Sequence, residues 1–222
     1  MGLKKEYVVY KLAEQMEKMA LIDPELFKKH NVKRGLRNED GTGVIVGITQ
    51  IGNVVGYERI EGGGLKPIPG KLFYRGLDVE DIVKANIEEK RFGFEEVAYL
   101  LLSGELPNKE ELAIFKELIS DNVPLDQRTK MSILELEGSN IMNILARSVL
   151  EMYIFDENPE DTSKENLMRQ SISLISRFPT IIAYAYNVYR HAISGRSLHI
   201  RHPRENLSLA ENFLYEIGRA HV

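Results

Sequence analysis

The spacing of apolar side chains changes twice along the chain, from helical to strand-like and back to helical. Leu12, Met16 and Met19 recur at three- and four-residue intervals among charged residues, which predicts a helix near the start. A second short helix is predicted to begin at Asp23-Pro24. Residues 35–76 are punctuated by glycine and carry β-branched pieces at 44–49 and 54–57, a pattern typical of short strands and hairpins.

Helical periodicity returns after Gly76, where at least six helices are predicted from capping residues that precede apolar faces. The predicted caps are Asp78, Asn108 with Glu111, Ser139, Thr162 with Glu165, and Ser208 with Glu211. Pro179 interrupts the longest pattern, 163–191, and is expected to kink that helix. The apolar arcs of segments 139–155 and 163–191 suit either the core of a monomer or a subunit interface, and periodicity leaves both open.

Composition excludes several classes of protein. The chain has 222 residues, of which 43% are hydrophobic and 28% are charged, as in an ordinary globular domain. A net charge of −4 gives no general attraction to nucleic acid or anionic membranes, and the absence of cysteine excludes disulfides and thiolate chemistry. No apolar stretch reaches the roughly 18 residues needed to span a bilayer. We therefore predict a cytoplasmic protein with no nucleic-acid or membrane partner.

A glycine-rich stretch is a candidate for a nucleotide-binding loop. Gly62-Gly63-Gly64 is followed by Gly70-Lys71, but the spacing differs from that of a phosphate-binding loop and Leu72 stands where Ser or Thr should hold magnesium. A hairpin tip explains the glycines better.

The basic segment near residue 200 is the other candidate for binding chemistry. His199 and His202 could share a metal, but Arg201 and Arg204 beside them would repel a cation, so no metal is predicted. Arg196, Arg201 and Arg204 instead form either a local anion-binding patch or a solvated basic loop. Composition and spacing alone identify no reaction and no catalytic residue.

Three longer segments carry a family resemblance. Residues 71–81 (KLFYRGLDVED), 94–107 (FEEVAYLLLSGELP) and 201–215 (RHPRENLSLAENFLY) resemble, in this order and spacing, segments of citrate synthases. The resemblance implies a mainly α fold, with residues 1–34 as an N-terminal helical segment, 35–76 as a small β-hairpin region and 77–215 as an incomplete part of the large-domain helical bundle. It also implies a homodimer that pairs helices 139–155 and 163–191.

The reaction implied by the family is the condensation of acetyl-CoA with oxaloacetate and water to citrate and CoA, at the entry to the tricarboxylic acid cycle. CoA thioester is a substrate here, and no metal or covalently bound cofactor is expected. The family's catalytic histidines and aspartate belong to motifs that follow the 201–215 segment, and none of those motifs occurs in this chain. No catalytic role is therefore assigned, and the chain alone is expected to be inactive.

One binding residue is carried over by resemblance. Arg34, in Arg34-Gly35-Leu36-Arg37, is similar to an arginine that approaches CoA phosphates in some relatives. Residues 216–222 (EIGRAHV) read like a translated sequencing adapter, so Tyr215 is expected to be the last native residue. The alternatives are a 2-methylcitrate synthase, which uses propionyl-CoA, and a short non-catalytic paralogue that heterodimerises with a full-length synthase.

Overall fold

The chain divides into two compact units, residues 1–49 and 50–222. The computed structural model describes residues 7, 10–16, 22–30, 32, 35–37, 43–44, 47–61, 64–136 and 138–218. In the first unit the helix predicted around Leu12 and Met16 is confirmed over residues 10–16. The second predicted helix is α1 (Pro24–Lys29), where the side chain of Asp23 accepts a hydrogen bond from the amide of Glu25 at 3.0 Å.

The second unit begins with a three-stranded antiparallel sheet. Its strands β1 (Gly52–Arg59), β2 (Leu65–Tyr74) and β3 (Leu77–Asp78) lie in sequence order, and the β1–β2 pairing shifts register between Val55 and Tyr57. The predicted strand at 54–57 is confirmed within β1. The predicted strand at 44–49 is wrong at the positions that are described, since Val44 and residues 47–49 lie outside any strand. β-branched residues favour a strand only where a neighbouring strand completes the hydrogen-bond ladder.

Seven helices follow Gly76 in the part of the chain that the structure describes. They are α2 (Val79–Glu88), α3 (Phe94–Ser103), α4 (Lys109–Asn122), α5 (Gln127–Glu135), α6 (Ile141–Phe155), α7 (Lys164–Ser194) and α8 (Leu209–Glu216). The predicted cap at Asp78 and the capping boxes at Asn108 and Ser208 are confirmed. Two caps lie one residue later than predicted: Asn140 rather than Ser139 caps α6, and Ser163 rather than Thr162 caps α7.

Helix α7 is the centre of the second unit, and it packs against α4, α5, α6 and α8. Ile181, Tyr184 and Ala185 of α7 join one buried cluster with residues of α5 and α6. Ile172 of α7 joins a second cluster with Phe115 and other residues of α4 and α8. Helix α7 thus contributes residues to both buried clusters. It continues through Pro179 without ending there.

The predicted fold class, mainly α with a small β-hairpin region near the N-terminus, is confirmed. None of the described helices is both long and apolar enough to cross a membrane.

Candidate functional site

The C-terminal half of α7 makes a row of buried or partly buried polar contacts with α8 and with the segment that precedes α8. Thr180 Oγ1 donates to Glu216 Oε2 at 3.0 Å, and Asn187 Nδ2 donates to the Glu216 carbonyl at 3.3 Å. The hydroxyl of Tyr184 lies 2.9 Å from His202 Nδ1. These contacts fix α8 and the segment that precedes it against α7.

Burial changes the acidity of two groups in this row. Burial raises the pKa of Glu216 to about 7, and the hydrogen bond from Thr180 opposes that rise only in part. Burial also raises the pKa of Tyr184 to about 12, with a smaller contribution from the charge of Glu216. Near neutral pH, Tyr184 is therefore a neutral phenol and Glu216 is partly protonated.

A cavity of about 510 Å³ opens where α7 ends. Gly195 ends the helix in the left-handed conformation, at φ 61°, and the chain turns back over the last turn of α7. The polar side chains that line the cavity are those of Asn187, Arg190, Arg196, Ser197, His199 and Arg201.

The structure separates the residues that the sequence grouped together near position 200. Arg196 and Arg201 line the same cavity, whereas the guanidinium of Arg204 lies 4.2 Å from the ring centroid of Tyr215. His199 also lines the cavity, but His202 contacts Tyr184 instead. Within the described residues no group of acidic or histidine side chains could hold a metal.

Two long-range side-chain contacts connect segments 71–81, 94–107 and 201–215. Arg75 donates from Nε and Nη2 to the Leu101 carbonyl, at 3.2 and 2.7 Å, near the C-terminal end of α3. Glu95, only 3% exposed, accepts from the amide of Leu209 at the start of α8 at 3.0 Å. Sequence reasoning missed both roles; the only signal was a charged residue inside an apolar pattern.

The side of α6 that faces away from the core is apolar. Met142, Ala146, Leu150 and Ile154 recur every four residues and are all exposed; the three larger side chains are 73%, 72% and 72% exposed. The buried residues of this helix, Ile144, Leu145 and Ser148, lie on its other side.

Arg34, the one residue carried over as a CoA contact, lies outside the described residues.

Comparison with known proteins identifies the family. A family model described as "Citrate synthase, C-terminal domain" matches residues 36–221. The chain belongs to the citrate synthase family. The 2-methylcitrate synthase of Mycobacterium tuberculosis (strain H37Rv) is 28% identical over 194 residues, which is 86% of this chain and 42% of that protein. The citrate synthase of Corynebacterium glutamicum is 32% identical over 149 residues, which is 65% of this chain and 31% of that protein.

Solved citrate synthase structures share the fold. The enzyme from Thermotoga maritima aligns with a TM-score of 0.58 at 28% identity, over 86% of this chain and 42% of that one. The enzyme from Pyrobaculum aerophilum aligns with a TM-score of 0.61 at 24% identity, over 82% and 44%. The chain thus spans less than half the length of these citrate synthases.

Proposed function

We propose that this chain supplies the helical scaffold of an enzyme that condenses an acyl-CoA thioester with oxaloacetate. The family match over residues 36–221 carries the proposal. Acetyl-CoA is the proposed substrate, and propionyl-CoA is the alternative because a similar relative is a 2-methylcitrate synthase. The proposal includes no metal and no covalently bound cofactor.

The proposed scaffold role is supported by the polar residues around α7, which make contacts within the protein. Polar side chains hold α7 against α8 and against the segment before it: Thr180 contacts Glu216 of α8, and Tyr184 contacts His202 of that segment. Abstraction of a proton from a thioester methyl group needs a base placed beside an open substrate pocket. Glu216 is 1% exposed and bonded to a neighbouring helix, so it is not such a base.

A chimera tests the proposed reaction. Residues 50–215 of this chain would replace the matching segment of the Thermotoga maritima citrate synthase, and CoA release would be measured with acetyl-CoA or propionyl-CoA plus oxaloacetate. We expect the chimera to release CoA and the 222-residue chain alone to release none. Because the chain has no cysteine, a thiol reagent detects CoA from the isolated chain without protein background. A folded chimera that releases no CoA from either thioester would contradict the proposal.

We also propose that the chain forms a homodimer through the exposed row on α6. Met142, Leu150 and Ile154 present apolar side chains along roughly three helical turns, the kind of surface that a monomer leaves exposed only rarely. On α7, Leu167, Met168 and Leu174 are also partly exposed and could extend the contact. Ten residues of α7 are already buried within the chain, so α6 is the main interface helix in this proposal.

Charge substitution tests the interface. The double variant L150D/I154D should shift the chain from dimer to monomer in sedimentation velocity, because two carboxylates cannot be desolvated between paired helices. Leu118→Asp, at an exposed leucine of α4, is the matched control and should leave the dimer unchanged. A wild-type chain that sediments as a monomer at high concentration would contradict this interface.

A further inference from the structure

We propose that the cavity at the C-terminal end of α7 binds a small molecule that carries at least two anionic groups, phosphate or carboxylate. The inference goes beyond the proposed condensation and does not depend on it. A cavity volume of about 510 Å³ lies within the range of small-molecule sites.

The cavity wall is positively charged. Three arginines, Arg190, Arg196 and Arg201, line it, and no aspartate or glutamate side chain among the described residues does. In the described part of the chain, no carboxylate or carbonyl accepts a hydrogen bond from any of these three guanidinium groups. Like charges gathered around one space repel each other, and an anion in that space would remove the repulsion.

Three arginines elsewhere in this unit have acceptors within the protein. Arg91 bonds to Glu89 and Glu96, Arg169 bonds to Asp156, and Arg177 donates to a backbone carbonyl. These three arginines therefore have their N–H groups occupied by the protein itself. The cavity arginines keep their donor edges available, in the fork that matches phosphate and carboxylate oxygens.

Helix capping does not explain the cluster. The backbone amides of Gly195 and Arg196 already donate to the carbonyls of His191 and Arg190 at the end of α7, at 3.1 and 3.4 Å. The guanidinium of Arg190 instead lies over the ring of Tyr186, at 5.4 Å from its centroid. A contact with an aromatic ring uses none of the hydrogen-bond donors of the guanidinium on a protein oxygen, so they can serve a ligand.

Neutral polar groups complete the wall. The amide side chain of Asn187 is buried and tied to two backbone carbonyls, so it gives the cavity a rigid floor. Ser197 and His199 add side chains that can donate hydrogen bonds to an anion. Arg201 is half-buried. Its guanidinium packs closely over the backbone of Gly218, since a Cβ added to that glycine would lie 2.8 Å from Arg201 Nη1.

Calorimetric titration of the full 222-residue chain tests the site. Pyrophosphate and citrate are the two probes, titrated separately at constant ionic strength so that general screening is not mistaken for binding. Saturable binding of pyrophosphate alone would support a phosphate ligand, and of citrate alone a carboxylate ligand. Binding of both would support recognition of paired anionic groups in general.

Variants locate the binding. The double variant R196Q/R201Q should weaken binding by about tenfold or more, since each substitution removes a charge-assisted donor. Arg204→Gln is the matched control: it removes a charge from the same segment but not from the cavity, and it should change affinity by less than about twofold. Circular dichroism would confirm that each variant is folded, with Arg196→Gln alone as the fallback at an exposed position. Failure of both probes to bind, or equal binding by the folded cavity variant, would overturn the proposal.

Discussion

The buried carboxyl group of Glu216 should make the stability of this chain fall as the pH rises. Glu216 is 1% exposed, its Oε2 accepts from Thr180, and its Oε1 has no partner among the described residues. Replacing it by glutamine keeps an acceptor for Thr180 and removes the charge. The substitution therefore isolates the cost of ionising this group inside the protein.

The direction and size of the effect follow from the two pKa values. Burial raises the pKa of Glu216 to about 7 from the ordinary 4.5, so between these values the folded chain binds more protons than the unfolded one. The free energy of unfolding must then decrease with rising pH across that window. At about 1.4 kcal/mol per pKa unit, the full loss is about 3 kcal/mol, present above pH 7 and absent below pH 4.5.

Urea unfolding at a series of pH values measures the effect. The wild-type chain and Glu216→Gln should have similar unfolding free energies at about pH 4, and the variant should be more stable by about 3 kcal/mol at about pH 8.5. Glu205→Gln, at an exposed position, controls for the loss of a surface charge and should follow the wild type. Tyr184 stays neutral over this range, since burial raises its pKa to about 12. A stability difference between wild type and Glu216→Gln that does not change with pH would refute the reasoning.

Two further predictions concern stability. Arg75→Ala should lower the free energy of unfolding by about 2 kcal/mol, because it removes the paired hydrogen bonds to the Leu101 carbonyl. Arg75→Lys should cost about half as much, because an ammonium group can replace one of the two bonds. An unchanged urea midpoint for Arg75→Ala would contradict this. Gly93→Ala should lower the free energy of unfolding by about 1–3 kcal/mol, since the new Cβ would lie 2.4 Å from Asn86 Nδ2. Gly70→Ala is the control, because its Cβ would meet open space and should change stability little. Thermal unfolding measures both variants, and equal melting temperatures would contradict the clash.

Local signals in the sequence predicted the local structure well. The capping boxes at Asn108 and Ser208 were predictable because all their partners lie within three residues. The cap of α7 fell on Ser163 rather than Thr162. Asp161 accepts from both the amide and the hydroxyl of Ser163, at 2.9 and 3.0 Å, and this turn sets where the helix begins. Such competition between neighbouring caps is decided by backbone geometry that the residue types alone do not contain.

The candidate site was less predictable, because its members meet only after folding. Arg196, Arg201 and Arg204 stand close together in the sequence, but the chain direction after Gly195 decides which of them face the cavity. The bond between Glu95 and Leu209 joins residues 114 positions apart. Neither arrangement leaves a periodic trace, so sequence patterns cannot reveal them.

The three segments that carry the family resemblance form one connected structure. Arg75 links the first segment to Leu101 in the second, and Glu95 links the second to Leu209 in the third. Arg75 and Gly76 also form the tight turn between β2 and β3, with φ values of 49° and 85° that few residues other than glycine adopt readily. The side chains of Arg75 and Glu95 therefore fix where α3 and α8 lie. In the condensing enzyme proposed above, substitutions at Arg75 or Glu95 should therefore impair activity by displacing α3 and α8 rather than by removing a reacting group.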